Sequence, residues 1–344
     1  MSPEHNQFYL RTAKERPDLW KALEELDHPL NALWPEFLDN DVPYKHYFGQ
    51  LTKIPSLAKF QFVVVEHGVN GRETIIGLGR SIPFFWPELA ETTSTEQQSN
   101  ASRLLDSLPD GGYDAILTRG VLQTLARESL PTTTLILSTD QPGIGIDPAV
   151  CQLRDEPNAL SALSVTIRPD RRQLGLAETL IDAMKVTARQ HQLRILVVPL
   201  RPTRKSQFPY VDMNDYVSWT MHTNKLPIST VGTCCRSPSS LGQPVPFDPW
   251  LRKHLRLGGR IAKIATSSMV VRGSVSEWQK WAGIDISKGG ETGKDDRIKA
   301  DPRSKRLYIE WRLEGGLVPL RYYVKDRIGI YIEPNVWVYY NLEG

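Results

Sequence analysis

Arg168, Arg171 and Arg172 crowd the short stretch ahead of Gly175 and Ala177, a grouping of residue types that suits phosphate chemistry. Residues 161–167 before it form an apolar, β-branched run of strand length. After it, Leu176, Leu180, Met184 and Ala188 recur at helical spacing, with Glu178, Asp182, Lys185 and Arg189 on the other side. A helix start offers free backbone N–H groups and the positive end of a dipole, both of which attract phosphate oxygens. Gly175 and Ala177 leave the backbone open, so a pyrophosphate can lie directly against it. The segment is expected to hold a phosphate-bearing ligand; the plainer alternative is a basic strand-to-helix turn that binds nothing.

Other residues carry chemistry of a different kind. In the stretch 248–259, Arg252, Lys253 and Arg256 define an outer, charged face, and His254 falls on the inner side one turn from Trp250. An imidazole there is either a general acid or base near neutral pH or a hydrogen-bonded core histidine. Thr220 ends a helix expected to start at Asp212, and either presents a hydroxyl to a substrate or bonds local backbone. Arg201 and Lys205 leave the end of a buried strand, 194–200, the edge where α/β sheets place ligands; each is a candidate anion ligand or a solvated loop residue. Glu333 and Asn335 bracket Pro334 in a β-branched run. This marks an edge strand or a bulge, with Glu333 either a base for an amine or half of a turn-stabilising pair. Six tryptophans of the second half, at 219, 250, 278, 281, 311 and 337, are expected to be core, with one or two facing a ligand.

These residues sit on an alternating framework. A strand at 7–13, a helix at 17–26 and short Pro-broken helices over 31–60 precede a hairpin, 60–66 and 73–82, closed by Asn70-Gly71. Residues 90–110 are polar and expected to be loop. Gly112–Arg127 is a helix, 132–138 a short strand and 141–157 a loop. A strand at 260–272, a capping box at Ser274 and Glu277, and strands at 307–311, 317–324 and 328–340 finish the chain. Two loops stand out, the Pro/Ser-rich 226–247 and the charged 288–305.

At 344 residues the chain is long enough for a large core. A net charge of +3 is too small to argue for nucleic acid or an anionic membrane, so neither is expected as a partner. No apolar run approaches the roughly 20 residues that span a bilayer. The first residues lack the apolar core of a secretory signal. Cys151, Cys234 and Cys235 show no metal-ligand spacing, so no metal is expected and a reducing, cytoplasmic location is favoured.

Arg172-x-x-Gly175-x-Ala177, set between a strand and an amphipathic helix, resembles the acyl-CoA-binding signature of the Gcn5-related N-acetyltransferase (GNAT) superfamily. The runs VPLRPTRKSQFPYVDMNDYVSWT, DPWLRKHLRLGGRIAKIATSSMVV, GSVSEWQKWAG and YIEPNVW resemble stand-alone members and the GNAT-like domains of polyketide-synthase loading modules. The resemblance covers about residues 60–82 and 158–340. It implies a single enlarged α/β GNAT-like domain over 1–344, a mixed central sheet flanked by helices with large loop insertions. Residues 1–150 would supply the sheet start and wrapping helices, 158–205 the CoA-binding core and 206–344 the substrate side. Val165, Thr166 and Ile167 would line the pantetheine arm, and the amides of Arg172, Gln173, Leu174, Gly175, Leu176 and Ala177 would hold the pyrophosphate. Departures lie in the loops 226–247 and 284–306, and in Tyr339-Tyr340, where relatives often carry a His. The implied function is acyl transfer from acetyl-CoA or another acyl-CoA to a small-molecule or carrier-protein-bound acceptor, in specialised biosynthesis. Decarboxylation of a malonyl thioester, with His254 and Thr220 orienting the carboxylate, and non-catalytic thioester or carrier binding are the alternatives.

Overall fold

The computed structural model describes residues 7–23, 28–30, 34–68, 71–91, 101–131, 147–222, 244–289, 298–301 and 304–343. The strand expected at 132–138, most of the loop 226–247, and Cys234 and Cys235 lie outside these residues.

The strands are β1 (Gln7–Thr12), β2 (Gln61–His67), β3 (Glu73–Phe84), β4 (Ala159–Ile167), β5 (Ile195–Leu200), β6 (Thr220–His222), β7 (Pro244–Pro246), β8 (Arg260–Ser274), β9 (Ile298–Ala300), β10 (Leu307–Trp311), β11 (Leu320–Tyr323) and β12 (Ile328–Asn341). Among the described residues ten of them make one mixed sheet in the order β1-β2-β3-β4-β5-β12-β11-β10-β9, with β8 also on β12, while β6 and β7 pair separately. From β1 to β4 every neighbour is antiparallel. β4 and β5 are parallel, as a connection through a helix requires.

That connection is the helix Leu176–Gln190, which buries Leu176, Leu180, Ile181, Met184 and Ala188. Its close approach to the sheet depends on Gly79 of β3, where an added Cβ would stand 2.9 Å from Met184 Cε and 3.0 Å from Leu180 Cδ2. The helix Gly112–Arg127 covers the other face and is buried nearly all round, with Ile116, Leu117, Val121 and Leu122 in the core beside Ile82, Phe84 and Trp337. It carries a buried acid, Asp114, which meets Asp41 over the amide of Val270: Val270 donates to Asp114 Oδ2 at 3.0 Å and to Asp41 Oδ2 at 3.4 Å. Burial, then the neighbouring Asp41 charge, pushes the Asp114 pKa well up, and burial pushes Asp41 up to about 6.

Two expectations need correction, and a third offered two alternatives of which the chain adopts one. Residues 101–106 are a helix rather than loop, with Leu104 in the same core as Trp86, whose Nε1 donates to Ser107 at 3.0 Å. The helix capped by Asp212 stops at Ser218, and Thr220 begins β6 opposite Pro246. Pro334 does not mark a sheet edge. β12 is a central strand, paired with β8 along one side and with β11 and β5 in succession along the other, and its register to β8 slips between Glu333 and Asn335. The bulge alternative is the one the chain adopts.

Candidate active site

β4 and β5 are hydrogen-bonded only over Ala159–Ser161 and Ile195–Val197. Beyond that point β4 stays with β3 to the pair Gly77–Ile167, whereas β5 stays with β12 to the pair Leu200–Val336. Two parallel strands that part in mid-sheet leave a wedge with backbone groups along both sides. A cavity of about 690 Å³ occupies it. Ser164, Val165 and Thr166 form one side, Val198, Pro199 and Leu200 the other, and Ile181, Trp250 and His254 the helical wall.

The turn after β4 leads into the helix Leu176–Gln190 through Gly175, which has φ +75° and nothing within 4 Å of where a Cβ would stand. Arg168 is engaged by Asp170 at 3.0 Å and Arg171 by Glu66 at 3.1 Å. Arg172 reaches only the Ile167 carbonyl, at 3.5 Å. No acceptor among the described residues engages the amides of Arg172, Gln173, Gly175, Leu176 and Ala177; that of Leu174 makes a long 3.5 Å bond to Arg171. Leu174 is exposed, and Leu176 anchors the turn in the core.

Arg172, Gln173 and Gly175 share a cleft of about 560 Å³ with Arg252, Lys253 and Arg256 from the helix Pro249–Arg256. The basic face expected to point outward into solvent therefore confronts the turn. Glu178 ties the two helices, accepting from Lys253 at 2.5 Å and Arg256 at 3.1 Å. Four cations around one carboxylate leave the cleft strongly positive.

Asp248 starts the Pro249–Arg256 helix by accepting from the amides of Trp250 and Leu251, and this cap fixes where His254 falls. His254 is buried, stands edge-on to Trp250 with ring centroids 4.6 Å apart, and meets the hydroxyl of Tyr340 through Nδ1 at 2.7 Å. Nε2 has no partner among the described residues. Burial, with Lys185 and Lys253 adding to it, pushes the imidazole down to about 3. It is neutral at physiological pH, which corrects the expectation of an acid or base titrating near neutrality.

Thr220 is exposed and absent from the cavity wall, so it does not stand with His254 as the decarboxylation alternative requires. The helix ended two residues early because Trp219 takes an extended backbone. Glu333 is fully buried, and both its oxygens are held. Arg201 Nε donates to Oε1 at 2.8 Å, while Arg201 Nη2 and the Tyr331 hydroxyl donate to Oε2 at 3.1 and 2.5 Å. A carboxylate so engaged is not placed to take a proton from an amine, which corrects the reading of Glu333 as a base. Arg201 itself lies on the cavity wall. Lys205 is buried, spans the carbonyls of Phe208 and Leu317 at 2.8 and 2.7 Å, and does not reach the cavity. Of the six tryptophans only Trp250 faces it, and Trp278 and Trp337 are wholly core. Ile167 packs in the core behind Val165 and Thr166.

One wall was missed in the sequence. Glu36 and Asp39, in the 3₁₀ turn Glu36–Asn40, line the cavity together with Tyr44, Tyr113 and Arg80 of β3. Burial and the nearby Glu36 raise the Asp39 pKa. Arg80 did leave a signal: it is the one charge in the apolar run IIGLGRSIPFF.

A splayed parallel strand pair, an open amide turn at a helix start and a cationic cleft beside it make up the candidate site of this α/β fold. No family model matches the chain. It is 32% identical over 332 residues to the arginine N-acetyltransferase avaD of Aspergillus versicolor, covering 96% of this chain and 93% of that protein. Among solved structures it aligns with the loading GNATL domain of CurA from Lyngbya majuscula at 14% identity and TM-score 0.40, over 98% of this chain and 99% of that one. It aligns with the GphF GNAT-like decarboxylase in complex with isobutyryl-CoA at 16% identity and TM-score 0.35, over 76% and 90% respectively. The chain belongs to the Gcn5-related N-acetyltransferase superfamily and is an acyl-CoA-dependent acyltransferase of that type. No helix among the described residues is long and apolar enough to cross a membrane.

Proposed function

We propose that the enzyme transfers an acetyl group from acetyl-CoA to an amine of a small cationic acceptor of the arginine class. The observation that carries the donor half is the set of free amides at Arg172, Gln173, Gly175, Leu176 and Ala177, placed where the β4–β5 wedge opens. In this reading those amides hold the pyrophosphate, and Arg172, Arg252, Lys253 and Arg256 neutralise the remaining phosphate. The pantetheine arm runs past Val165 and Thr166, bringing the thioester to the end of the splay. The acceptor half is supported by Glu36 and Asp39, which give the far wall the negative charge a guanidinium or ammonium needs, and by the named activity of the avaD relative.

Chemistry then proceeds by attack of the neutral amine on the thioester carbonyl. The C–N bond forms, the C–S bond breaks, and the proton lost by the amine ends on the departing thiolate, giving the amide and free CoA thiol. Backbone N–H groups along the unpaired edges of the wedge are suited to the developing oxyanion. His254, neutral and with Nε2 free, accepts or donates one hydrogen bond beside the thioester without carrying charge.

The deciding experiment incubates the protein with acetyl-CoA or malonyl-CoA and L-arginine, followed by mass spectrometry. An N-acetylated amine and free CoA are expected. Conversion of malonyl-CoA to acetyl-CoA with no acylated amine would instead establish decarboxylation. For the donor site, Gly175→Val forces a β-branched residue to φ +75° and fills the cradle, so calorimetry should find CoA bound at least about tenfold more weakly. Undiminished affinity would move the diphosphate elsewhere.

A further inference from the structure

Arg80 is a half-buried cation on the cavity wall with no anion beside it among the described residues. It projects from β3 at the position paired with Ser164 of β4, where β4 has already parted from β5, and it forms part of the cavity wall. Its guanidinium carbon lies 4.2 Å from the ring centroid of Phe48 and 4.7 Å from that of Trp20. No carboxylate pairs with it and no carbonyl accepts from it among the described residues. Arg201, on the same wall, shows the contrast, since both oxygens of Glu333 take up its donors. Burial pushes the Arg80 pKa down to about 10, with the Tyr44 and Tyr113 phenols opposing it, and the guanidinium stays protonated. Aromatic faces stabilise a cation by about 0.5–2 kcal/mol, less than a hydrogen-bonded carboxylate can give a partly buried guanidinium. They also leave unsatisfied the donors of a planar fork shaped for a carboxylate.

The opposite charge stands nearby but is not spent on Arg80. Asp39, Tyr44 and Arg80 line one cavity; burial raises the Tyr44 hydroxyl, Asp39 adds to that and Arg80 opposes it. A ligand carrying a cation at one end and an anion at the other would match both.

We propose that Arg80 binds the carboxylate of the acceptor, so that the enzyme selects α-amino acids over the corresponding decarboxylated amines. The inference rests on the acceptor reading above. The same carboxylate-binding fork would also suit a malonyl group on the donor, and the experiment separates the two sources.

The test compares L-arginine with agmatine, and acetyl-CoA with malonyl-CoA, in the full-length protein and in Arg80→Gln and Arg80→Lys. A charge-assisted bidentate contact corresponds to about a 10–100-fold preference in kcat/KM for L-arginine over agmatine. Arg80→Gln should collapse that ratio towards one through KM, and Arg80→Lys should restore it in part. Calorimetric CoA affinity reports that each variant is folded. Agmatine used as well as arginine by the unmodified enzyme, or a ratio untouched by Arg80→Gln, overturns the proposal. Loss confined to malonyl-CoA binding overturns it in favour of the donor. Should neither amine be acetylated, calorimetry with tryptophan against tryptamine and phenylalanine against phenethylamine takes over. Binding that requires both the carboxylate and Arg80 upholds the site while rejecting an arginine-class acceptor, and no such binding overturns the site itself.

Discussion

Arg201→Met should lower the free energy of unfolding by about 3–5 kcal/mol, the cost expected when one partner of a buried ion pair is removed and the other stays charged. Glu333 is fully buried, and Arg201 supplies two of its hydrogen bonds while also donating to the Gly315 carbonyl at 2.6 Å. The pair sits beside a break in the sheet's ladder. Along the edge of β12 that faces β5 and β11, residues 331–335 have no ladder partner, because β11 ends its pairing at Ile330 and β5 begins at Val336. Arg201, emerging from the end of β5, meets the Glu333 side chain beside that gap. Replacing Glu333 and Arg201 together by methionine removes both charges, and most of the loss should be recovered. Urea unfolding of the two single variants and the double variant measures this. Single variants within about 1 kcal/mol of the parent, the range of a surface ion pair, would show that the pair is wetter than its burial indicates.

The parts of the fold legible in the sequence are those whose signals are local. The strand, basic turn and helix from Ala159 to Gln190 announce themselves through period and Gly175. Asp248 and Ser274 cap helices as their spacing requires, Ser274 in a full capping box with Glu277. Pro334 correctly signalled an irregular strand but not its central place, since strand order is a matter of partners far along the chain. Long-range placement explains the other misses. The helix Pro249–Arg256 has a charged face that reads as solvated until the turn at Arg172 is brought opposite it. Glu36 and Asp39 belong to a short 3₁₀ turn with no period, and only the cavity gives them a common purpose. Thr220 failed for a local reason, a backbone extended at Trp219 that continuous helical patterning in DMNDYVSWT conceals.

His254 should make the protein acid-sensitive without appearing as a catalytic titration. Its pKa is near 6.5 in an unfolded chain and about 3 in the folded one, so between those values the unfolded state binds the extra proton. The contribution is therefore complete above about pH 6.5 and is lost as pH falls towards 3, at ~1.4 kcal/mol per pH unit, to a total of roughly 3–5 kcal/mol. Burial sets the direction first; Lys185 and Lys253 add positive charge, and Tyr340 offers a neutral hydroxyl at Nδ1. Asp182, paired with Lys185 at 3.2 Å, does not reverse it. Asp41 and Asp114 act oppositely, because acids with raised pKa favour folding at low pH and lose that contribution as pH rises. The informative quantity is thus the difference between the parent and His254→Gln. Urea midpoints at pH 7 and pH 4.5 should converge as the parent loses stability that the variant never had. An NMR titration that finds the His254 ring protonating near pH 6.5 would contradict this and return the imidazole to the role of general base. A ring that stays neutral leaves the amine to shed its proton along another route.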